Sequence, residues 1–326
     1  MILVTGGAGF LGRRLVRRWS EAGEGPTLRV LSRQPDEVSG TCPPGVELFF
    51  GDLRDQLSLR EATVGASAIV HLASKNIDRD GSGFTEVNVD GTRRLCRAAI
   101  EAGVETFLYV SSVGVYGHGS HRDADENTPV HPDTPFSRSK AAAERILLDH
   151  HDAGELRALI LRHRFVYGEG DEAVIPRIMR AARRYPFWIS GGRARMSVVW
   201  VDDFAEIVRR LVLRGTRVEG DPIVQVTDGR PVSYRQVVGT ICRAFGYSSP
   251  RFSLPYHLVF AVLRAREIAL GIDPETAATS LTSIRLKLMA RDNTFSNRKL
   301  AGLLPDLELC SFEEGFRRSQ AYYAGL

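Results

Sequence analysis

Short apolar runs alternate with segments of helical spacing along the first half of the chain. Residues 2–4 and 28–31 are apolar runs typical of buried strands, and residues 10–19 between them space their apolar side chains like a helix. The alternation continues, with further strands predicted at 46–50, 68–72, 106–110 and 158–161 and helices at 84–102 and 135–150. This pattern predicts an α/β fold with a Rossmann-type, doubly wound parallel sheet that binds ligands at the carboxyl ends of its strands.

The regular alternation stops near residue 175. Beyond it the pattern predicts short elements, loops and amphipathic helices at 204–213, 234–245 and 257–270. We therefore expect a dinucleotide-binding Rossmann domain at 1–174, with returning segments from about 196–230. The remainder, 175–326, is expected to be mainly a smaller substrate-binding lobe, since a lobe packed over a sheet edge usually supplies a pocket.

The turn after the first predicted strand is rich in glycine, in the sequence TGGAGFLG at 5–12. Gly6, Gly9 and Gly12 would permit the bend, the approach of backbone N–H groups to a pyrophosphate, and close packing of helix on strand. The positive end of the following helix would face the phosphates, with Phe10 and Leu11 beside the cofactor. The turn therefore predicts a dinucleotide site.

Composition narrows the function classes. The chain has 326 residues and a formal net charge of +4, and its arginine pairs fall on outward helix faces, which predicts solvated surface rather than a nucleic-acid site. No run approaches the ~20 apolar residues of a membrane span, so a cytoplasmic protein without membrane contacts is expected. The cysteines lack the spacing of a metal site or a disulfide framework: Cys42, Cys96, Cys242 and Cys310.

Several further motifs follow in order along the chain. They are GDL at 51–53, HLAS at 71–74, NVDG at 88–91, VSSVGVY at 110–116, VYG at 166–168, VDDF at 201–204, NTFSN at 293–297 and FEEG at 312–315. With the glycine turn, they make the chain resemble an extended short-chain dehydrogenase/reductase of the NAD-dependent epimerase/dehydratase type. That superfamily includes nucleotide-sugar epimerases, hydroxysteroid dehydrogenases and many ketoreductases.

The resemblance implies a set of cofactor contacts. Asp52 would accept a hydrogen bond from the adenine amine and Leu53 would pack on the ring. The remaining contacts implied by position are Leu72, Ala73 and Ser74 beside the cofactor, Lys140 on the nicotinamide ribose, and His163 and Val166 near the nicotinamide. His71, in a buried strand, is expected to be a structural histidine.

The end of the second strand bears on cofactor choice. An acidic residue there would bind the ribose hydroxyls of NAD and repel an added phosphate. The chain instead has Ser32 and Arg33, and a guanidinium can grip a phosphate through two N–H groups. We therefore expect NADP(H) in preference to NAD(H), unless Arg33 is a solvated loop residue. Arg13 is a second candidate, and Asp36 is displaced from the strand end.

The family's catalytic set is incomplete in this sequence. Ser112 and Lys140 align with the family's serine and lysine, but Phe136 occupies the position of the tyrosine that normally supplies the proton. Either the phenylalanine is an engineered change, or the protein binds cofactor without catalysis, or the proton comes from elsewhere. Tyr116 and His163 are candidate acids, although packing and cofactor contact are the favoured roles.

A substrate hydroxyl could also supply the proton. A ketone beside a phenol holds an internal O–H···O=C hydrogen bond that polarises the carbonyl. In lacking the tyrosine, the chain is similar to atypical ketoreductases of angucyclinone antibiotic assembly. The leading hypothesis is therefore an NADPH-dependent ketoreductase of an aromatic polyketide-like ketone in secondary metabolism. The expected substrate contacts are Ser112, Val113, Phe136, Phe187 and Met196, with Trp188 nearby.

Two other functions stay open at this point. One is a nucleotide-sugar epimerase or dehydratase, and the other is a non-catalytic NADP(H)-binding sensor. Phe136 argues against the first, because substrate oxidation needs a base, and the retained Ser112 and Lys140 argue mildly against the second. The oligomeric state is expected to be a monomer or a homodimer, the latter formed through the helices at 84–102 and 135–150.

Overall fold

The computed structural model describes residues 1–23, 25–34, 42–76, 83–215, 218, 220–274 and 281–326. Its centre is a parallel sheet of seven strands in the order β12-β7-β5-β4-β1-β2-β3. The described strands are β1 (Ile2–Thr5), β2 (Leu28–Ser32), β3 (Glu47–Phe50), β4 (Ala68–His71), β5 (Thr106–Ser112), β6 (His121–Ala124), β7 (Arg157–His163), β8 (Val166–Tyr167), β9 (Phe187–Ile189), β10 (Arg195–Met196), β11 (Val199–Trp200), β12 (Ile223–Val226), β13 (Val232–Ser233), β14 (Phe252–Leu254) and β15 (Asn293–Phe295). The order reverses beside β1, as in a doubly wound fold, so the predicted fold class is confirmed.

Helices cover both faces of this sheet. The described helices are α1 (Phe10–Ala22), α2 (Gln56–Thr63), α3 (Gly91–Glu101), α4 (Pro135–Asp152), α5 (Val174–Arg184), α6 (Val201–Leu213), α7 (Tyr234–Phe245), α8 (Tyr256–Ala269), α9 (Ser283–Ala290), α10 (Arg298–Leu303) and α11 (Phe312–Ala324). Helices α1 and α6 pack together over one face, whereas α2, α3 and α4 cover the other. Strands buried on both sides read as continuous apolar runs, which explains the sequence pattern.

The C-terminal half of the chain supplies both an edge strand of the central sheet and the smaller lobe. Strand β12 pairs with β7 and completes the central sheet, while a second sheet has the order β13-β10-β15-β6. Two short pairs, β8 with β11 and β9 with β14, join the segments around them. An apolar cluster that includes Ile189, Val259 and Leu286 holds α8 and α9 on this lobe.

Two local features differ from the sequence expectation. Strand β12 was not predicted as a strand, because it is four residues long and the polar Gln225 interrupts its apolar run. The predicted helix at 84–102 begins as a π-helical segment, Phe84–Asp90, and becomes α-helical only at Gly91. Wider turns of this kind often mark functional sites.

Among the described residues, the model contains no helix whose length and hydropathy would let it cross a bilayer.

Candidate cofactor and active site

The glycine turn after β1, at residues 6–12, forms a cradle, an open space beside the backbone that side chains at the glycine positions would occupy. Gly6 has a φ of 73°, and a Cβ at this position would lie 2.6 Å from the backbone nitrogen of Ala73 after β4. A Cβ on Gly12 would collide with the carbonyl oxygen of Gly6. Gly9 is the N-cap of α1 and donates its own N–H to the Gly6 carbonyl oxygen over 3.0 Å.

No side chain caps the N-terminus of α1, and its first turn carries no acidic residue. Phe10 and Leu11, the first residues of the helix, are half-buried. The free N–H groups and the positive end of the helix dipole suit a diphosphate, and the missing Cβ atoms leave room for it. The residues present therefore fit a bound dinucleotide.

Two arginines flank the carboxyl ends of β2 and β3. Arg33 is exposed and directly follows Ser32, whose Oγ accepts a hydrogen bond from the Gln34 N–H. Arg54 donates to the Asp52 carboxylate at 2.7 Å. The hydrogen bond from Arg54 and, more weakly, the charge of Arg33 lower the pKa of Asp52. The carboxylate expected to meet adenine is therefore already held by Arg54.

Leu53, the other expected adenine contact, is buried against the start of α3. A Cβ on Gly91 would lie 2.9 Å from the Leu53 Cβ. Asp36, the acidic residue beyond the end of the second strand, lies outside the described residues.

His71 is the centre of a buried hydrogen-bond relay. Thr5 Oγ1 is 2.6 Å from Nδ1 and also accepts from the Ala73 N–H, while Nε2 is 3.0 Å from Thr92 Oγ1. Because the Thr92 hydroxyl donates to the Asn88 carbonyl oxygen, it accepts from the ring, so Nε2 carries the proton and Nδ1 accepts from Thr5. Burial, aided by the charge of Lys140, lowers the pKa of His71 to about 3. The ring is therefore a neutral structural group.

Asn88 clamps the end of β4 to α4. Its Oδ1 accepts from the Lys75 N–H at 2.8 Å, and its Nδ2 donates to the Lys75 carbonyl oxygen and to Ser139 Oγ. Ser74 Oγ also reaches Asn88 Oδ1 at 3.4 Å, and the Leu72 N–H donates to the Thr5 carbonyl oxygen. The clamp therefore holds the expected cofactor contacts 72–74 beside the residue that precedes Lys140.

Lys140 lies beneath the end of β5. Its Nζ donates to the Val110 carbonyl oxygen at 3.0 Å and is 4.8 Å from the centre of the Tyr109 ring. Burial lowers the pKa of Lys140 to about 8, against the opposing charge of Glu144. Ser112 ends the same strand, and its Oγ accepts from the Gly114 N–H at 3.1 Å.

Phe136 occupies the first turn of α4, which is capped by Thr134 and Ser137. The Lys140 Nζ atom is 5.9 Å from the centre of the half-buried Phe136 ring, which also contacts the Phe84 ring at 6.0 Å. The structure therefore has an aromatic ring beside the lysine but no phenolic oxygen on it.

A buried polar network lies under this edge of the sheet. Arg162 donates to both carboxylate oxygens of Glu144 and, at 2.8 Å, to the Tyr116 hydroxyl. Gln225 also donates to that hydroxyl, which in turn donates to the Asp125 carbonyl oxygen. Burial raises the pKa of Tyr116. The hydroxyl is thus engaged within the protein, which argues against Tyr116 as the replacement acid.

His163 ends β7 and lies opposite Ser112 in the β5–β7 register. Its ring packs edge-on against Phe204, and burial together with the charges of Lys140 and Arg164 lowers the pKa of His163 to about 3. A neutral imidazole is a poor general acid, so the acid role considered for His163 is not supported. Val166, in β8, is buried and pairs with Val199.

The expected substrate residues separate into different environments. Ser112 and Phe136 lie at the carboxyl edge of the central sheet, whereas Phe187 and Trp188 line a small apolar pocket of the C-terminal lobe together with Ala182, Tyr234 and Leu281. Val113 and Met196 are only 1% and 3% exposed and pack in core clusters.

Sequence reasoning missed the roles of three groups. Asn88 stood in a recognised motif without a function, Arg54 was not considered beside Asp52, and Arg164 was passed over in favour of His163. Arg164 could have been noticed as a second arginine within four residues of a predicted buried strand, where an unpaired charge is costly.

Comparisons with known proteins agree with this geometry. The family model described as "NAD dependent epimerase/dehydratase family" matches residues 2–226. A 4-hydroxy-2-methyl-3-oxo-4-farnesyl-3,4-dihydroquinoline-1-oxide ketoreductase of Stigmatella aurantiaca is 27% identical over 91% of this chain and 88% of its own length. A dTDP-glucose 4,6-dehydratase of Streptomyces griseus is 31% identical over 75% of this chain and 78% of its own length.

The fold is also found among solved structures. The crystal structure of gox2253 has a TM-score of 0.81 and 26% sequence identity, and the match covers 100% of this chain and 98% of the other.

Proposed function

Because this chain belongs to the NAD dependent epimerase/dehydratase family, we propose that it is an NADPH-dependent ketoreductase that reduces a hydroxyl-flanked ketone without a tyrosine acid. It is an NAD(P)-dependent oxidoreductase by family. The observation that carries the finer proposal is the combination of Ser112 and Lys140 with a ring at Phe136 that has no proton to give.

The retained residues divide the remaining tasks. When bound, a reduced nicotinamide would supply the hydride that the carbonyl carbon needs. Ser112 donates its hydroxyl hydrogen bond to the carbonyl oxygen, and Lys140 holds the cofactor ribose and adds positive charge beneath it. The neighbouring substrate hydroxyl gives its proton to the forming alkoxide and later regains one from water, so no protein acid is needed.

One relative supports this choice of substrate. The name of the Stigmatella ketoreductase describes a fused-ring compound with an oxo group at position 3, a hydroxyl at position 4 and an apolar farnesyl chain. By analogy with that compound, a largely apolar ketone such as an aromatic polyketide is the substrate class proposed for this chain.

The decisive experiment uses two aromatic ketones that differ in one group. The first has a free hydroxyl on the carbon next to the ketone-bearing carbon, and the second has that hydroxyl methylated. We expect NADPH oxidation with the first and a loss of at least about a hundredfold in kcat/KM with the second, since general acid catalysis contributes about 10²–10⁴-fold. Equal turnover of the two would reject the proposed proton source.

The preference for NADPH is supported by the two arginines at the ends of β2 and β3. Arg33 and Arg54 place positive charge where a ribose phosphate would sit, and Asp52 is already paired with Arg54. Arg33→Gln should weaken NADPH binding about tenfold and leave NADH binding unchanged, because a charge-assisted bond to phosphate is lost. The matched control is Arg97→Gln, an exposed arginine on α3.

A nucleotide-sugar dehydratase is the second candidate, favoured by the 31% identical Streptomyces relative. Turnover of dTDP-glucose without net NADPH consumption would support that function over ours. Binding of NADPH without turnover of either ketones or nucleotide sugars would instead support a non-catalytic sensor.

A further inference from the structure

Arg164 has a guanidinium that no described residue pairs. The residue follows the end of β7, and its backbone N–H donates to the Val226 carbonyl oxygen at the end of β12. The side chain is half-buried overall, but its Nε and Nη2 atoms are inaccessible to solvent and have no hydrogen-bond partner. The guanidinium carbon lies 3.7 Å from the centre of the Phe165 ring.

Arg162, two residues earlier, is a buried arginine whose guanidinium is fully engaged by partners within the protein. It is 2% exposed, yet it donates to both oxygens of Glu144 and to the Tyr116 hydroxyl. Buried charges that serve the fold are normally paired in this way. Arg164 lacks such partners, and burial lowers its pKa to about 9. A buried guanidinium without a carboxylate partner can bind an anionic group that a ligand supplies.

The surrounding charges favour an anion. The pKa of His163 is lowered by both Lys140 and Arg164, so these two cations lie close enough to act on the same ring. Glu144, whose charge acts on Lys140, is already bound by Arg162. His163 Nδ1 also lacks a partner. The edge near Ser112 is therefore positively charged and has unused hydrogen-bonding atoms.

The cofactor phosphates are not the natural occupants. In the order β7-β5-β4-β1, three strand spacings separate Arg164 from the glycine turn, which is about 14 Å across the sheet. His163, the neighbour of Arg164, instead lies opposite Ser112, which binds the ketone in the proposed function. The anion is therefore expected to belong to the substrate.

We propose that Arg164 binds an anionic oxygen group of the substrate, a carboxylate or an acidic hydroxyl, and thereby positions the ketone near Ser112. The inference rests on the proposed function and narrows its substrate class to acidic aromatic hydroxyketones. Arg164 is then a specificity-determining residue, whose buried N–H groups gain a hydrogen-bond acceptor when the substrate binds.

Binding can be tested without turnover. In the presence of NADP⁺, calorimetry would compare 1-hydroxy-2-naphthoate with its methyl ester, and 4-hydroxy-3-nitroacetophenone, ionised at neutral pH at a hydroxyl remote from the ketone, with 4-hydroxyacetophenone. The first pair tests a carboxylate and the second an acidic hydroxyl. We expect the wild type to bind the anion of at least one pair about tenfold more tightly than its neutral partner. Equal binding within both pairs would overturn the proposal.

Substitutions then assign the preference to Arg164. Arg164→Gln should abolish it, Arg164→Lys should retain part of it, and the control Arg122→Gln, an exposed arginine paired with Asp292, should leave it intact. The Tm of ligand-free Arg164→Gln should equal or exceed that of the wild type, because an unpaired buried charge is removed. A lower Tm with the anion preference retained would show that Arg164 is structural and overturn the proposal.

The two proposals fail separately. If Arg164→Gln loses the preference while no ketone is reduced, the anion site stands and the ketoreductase function falls. If hydroxyketones are reduced and Arg164→Gln keeps the wild-type preference, the ketoreductase function stands and the anion site falls.

Discussion

Lys140 donates a hydrogen bond from Nζ to the carbonyl oxygen of Val110 over 3.0 Å, two residues before Ser112 on the same strand. This bond fixes a cation beneath the end of β5. It also places the ammonium 5.9 Å from the centre of the Phe136 ring, whose edge has no oxygen for the charge to act upon. In the proposed function, Lys140 therefore acts on the cofactor and on the developing alkoxide rather than on a tyrosine.

The first prediction concerns the charge of Lys140. Burial lowers its pKa from 10.5 to about 8, while Glu144 opposes the shift, so the ammonium is lost as pH rises through 8. NADPH binding, followed by fluorescence titration, should weaken above that pH. Lys140→Met should bind NADPH weakly at every pH. A high-pH decline that survives in Lys140→Met would assign the titration to another group.

The second prediction concerns Phe136. If the substrate supplies the proton, Phe136→Tyr should change kcat/KM for a hydroxyl-flanked ketone by less than about tenfold, because a second acid adds little. Steady-state kinetics would measure this, with Phe136→Leu as an apolar control. A gain of several powers of ten in Phe136→Tyr would instead mean that the chemistry needs the tyrosine that this chain lacks.

The third prediction concerns the cradle for the diphosphate. Gly12→Ala should weaken NADPH binding by more than about tenfold, because its Cβ meets the Gly6 carbonyl oxygen and must displace the turn. Gly23→Ala is the control, since Gly23 lies at the other end of α1 with open space around it. Its φ of 66° should cost about 1 kcal/mol of stability without affecting binding. Comparable losses of binding in both variants would contradict this account.

The fourth prediction concerns the buried neutral histidine. His71 has a pKa of about 3 in the folded protein against 6.5 ordinarily, so the unfolded chain binds the extra proton between those values. Its contribution to stability is complete above pH 6.5 and is lost as pH falls toward 3. Between pH 7 and pH 5 the loss is about 2 kcal/mol.

Urea denaturation at several pH values would test this. Between pH 3 and pH 6.5, the free energy of unfolding should rise less steeply with pH in His71→Gln than in the wild type. The difference in slope should correspond to nearly one bound proton per molecule. Asp228 is a control of opposite sign, since burial raises its pKa to about 7 and its contribution to stability falls as pH rises. Asp228→Asn should therefore steepen the increase. A slope in His71→Gln equal to the wild-type slope would mean that His71 does not stay neutral.

Much of the fold followed from local patterns. The six central-sheet strands and three of the helices that begin in the first 161 residues were predicted to within a few residues, because elements buried on both faces or on one stripe impose strong periodicity. The short helix α2 and the strand β6 were not predicted. Strand β12 escaped this reasoning. Gln225 lies in its middle, and its buried amide nitrogen donates to the Tyr116 hydroxyl, which is distant in sequence.

Only part of the candidate site could be predicted from the sequence. Ser112, Phe136 and Lys140 could be named because their positions align with the family's serine, tyrosine and lysine. That Tyr116 is engaged by Arg162 could not be read, because these side chains lie 46 positions apart. The low pKa of His163 also depends on burial, which no single position reveals.

The sequence by itself determined the doubly wound sheet and the glycine cradle, because each depends on residue types at short, regular spacings, and its resemblance to the family exposed the missing tyrosine. Only the tertiary structure decided which polar groups are satisfied. Arg162 and Arg164 are near neighbours of the same residue type, yet one has a carboxylate partner and the other has none. The difference arises because α4 brings Glu144 next to Arg162, whereas no described residue pairs with Arg164. The guanidinium of Arg164 is therefore desolvated without a partner, and in our proposal the substrate supplies one.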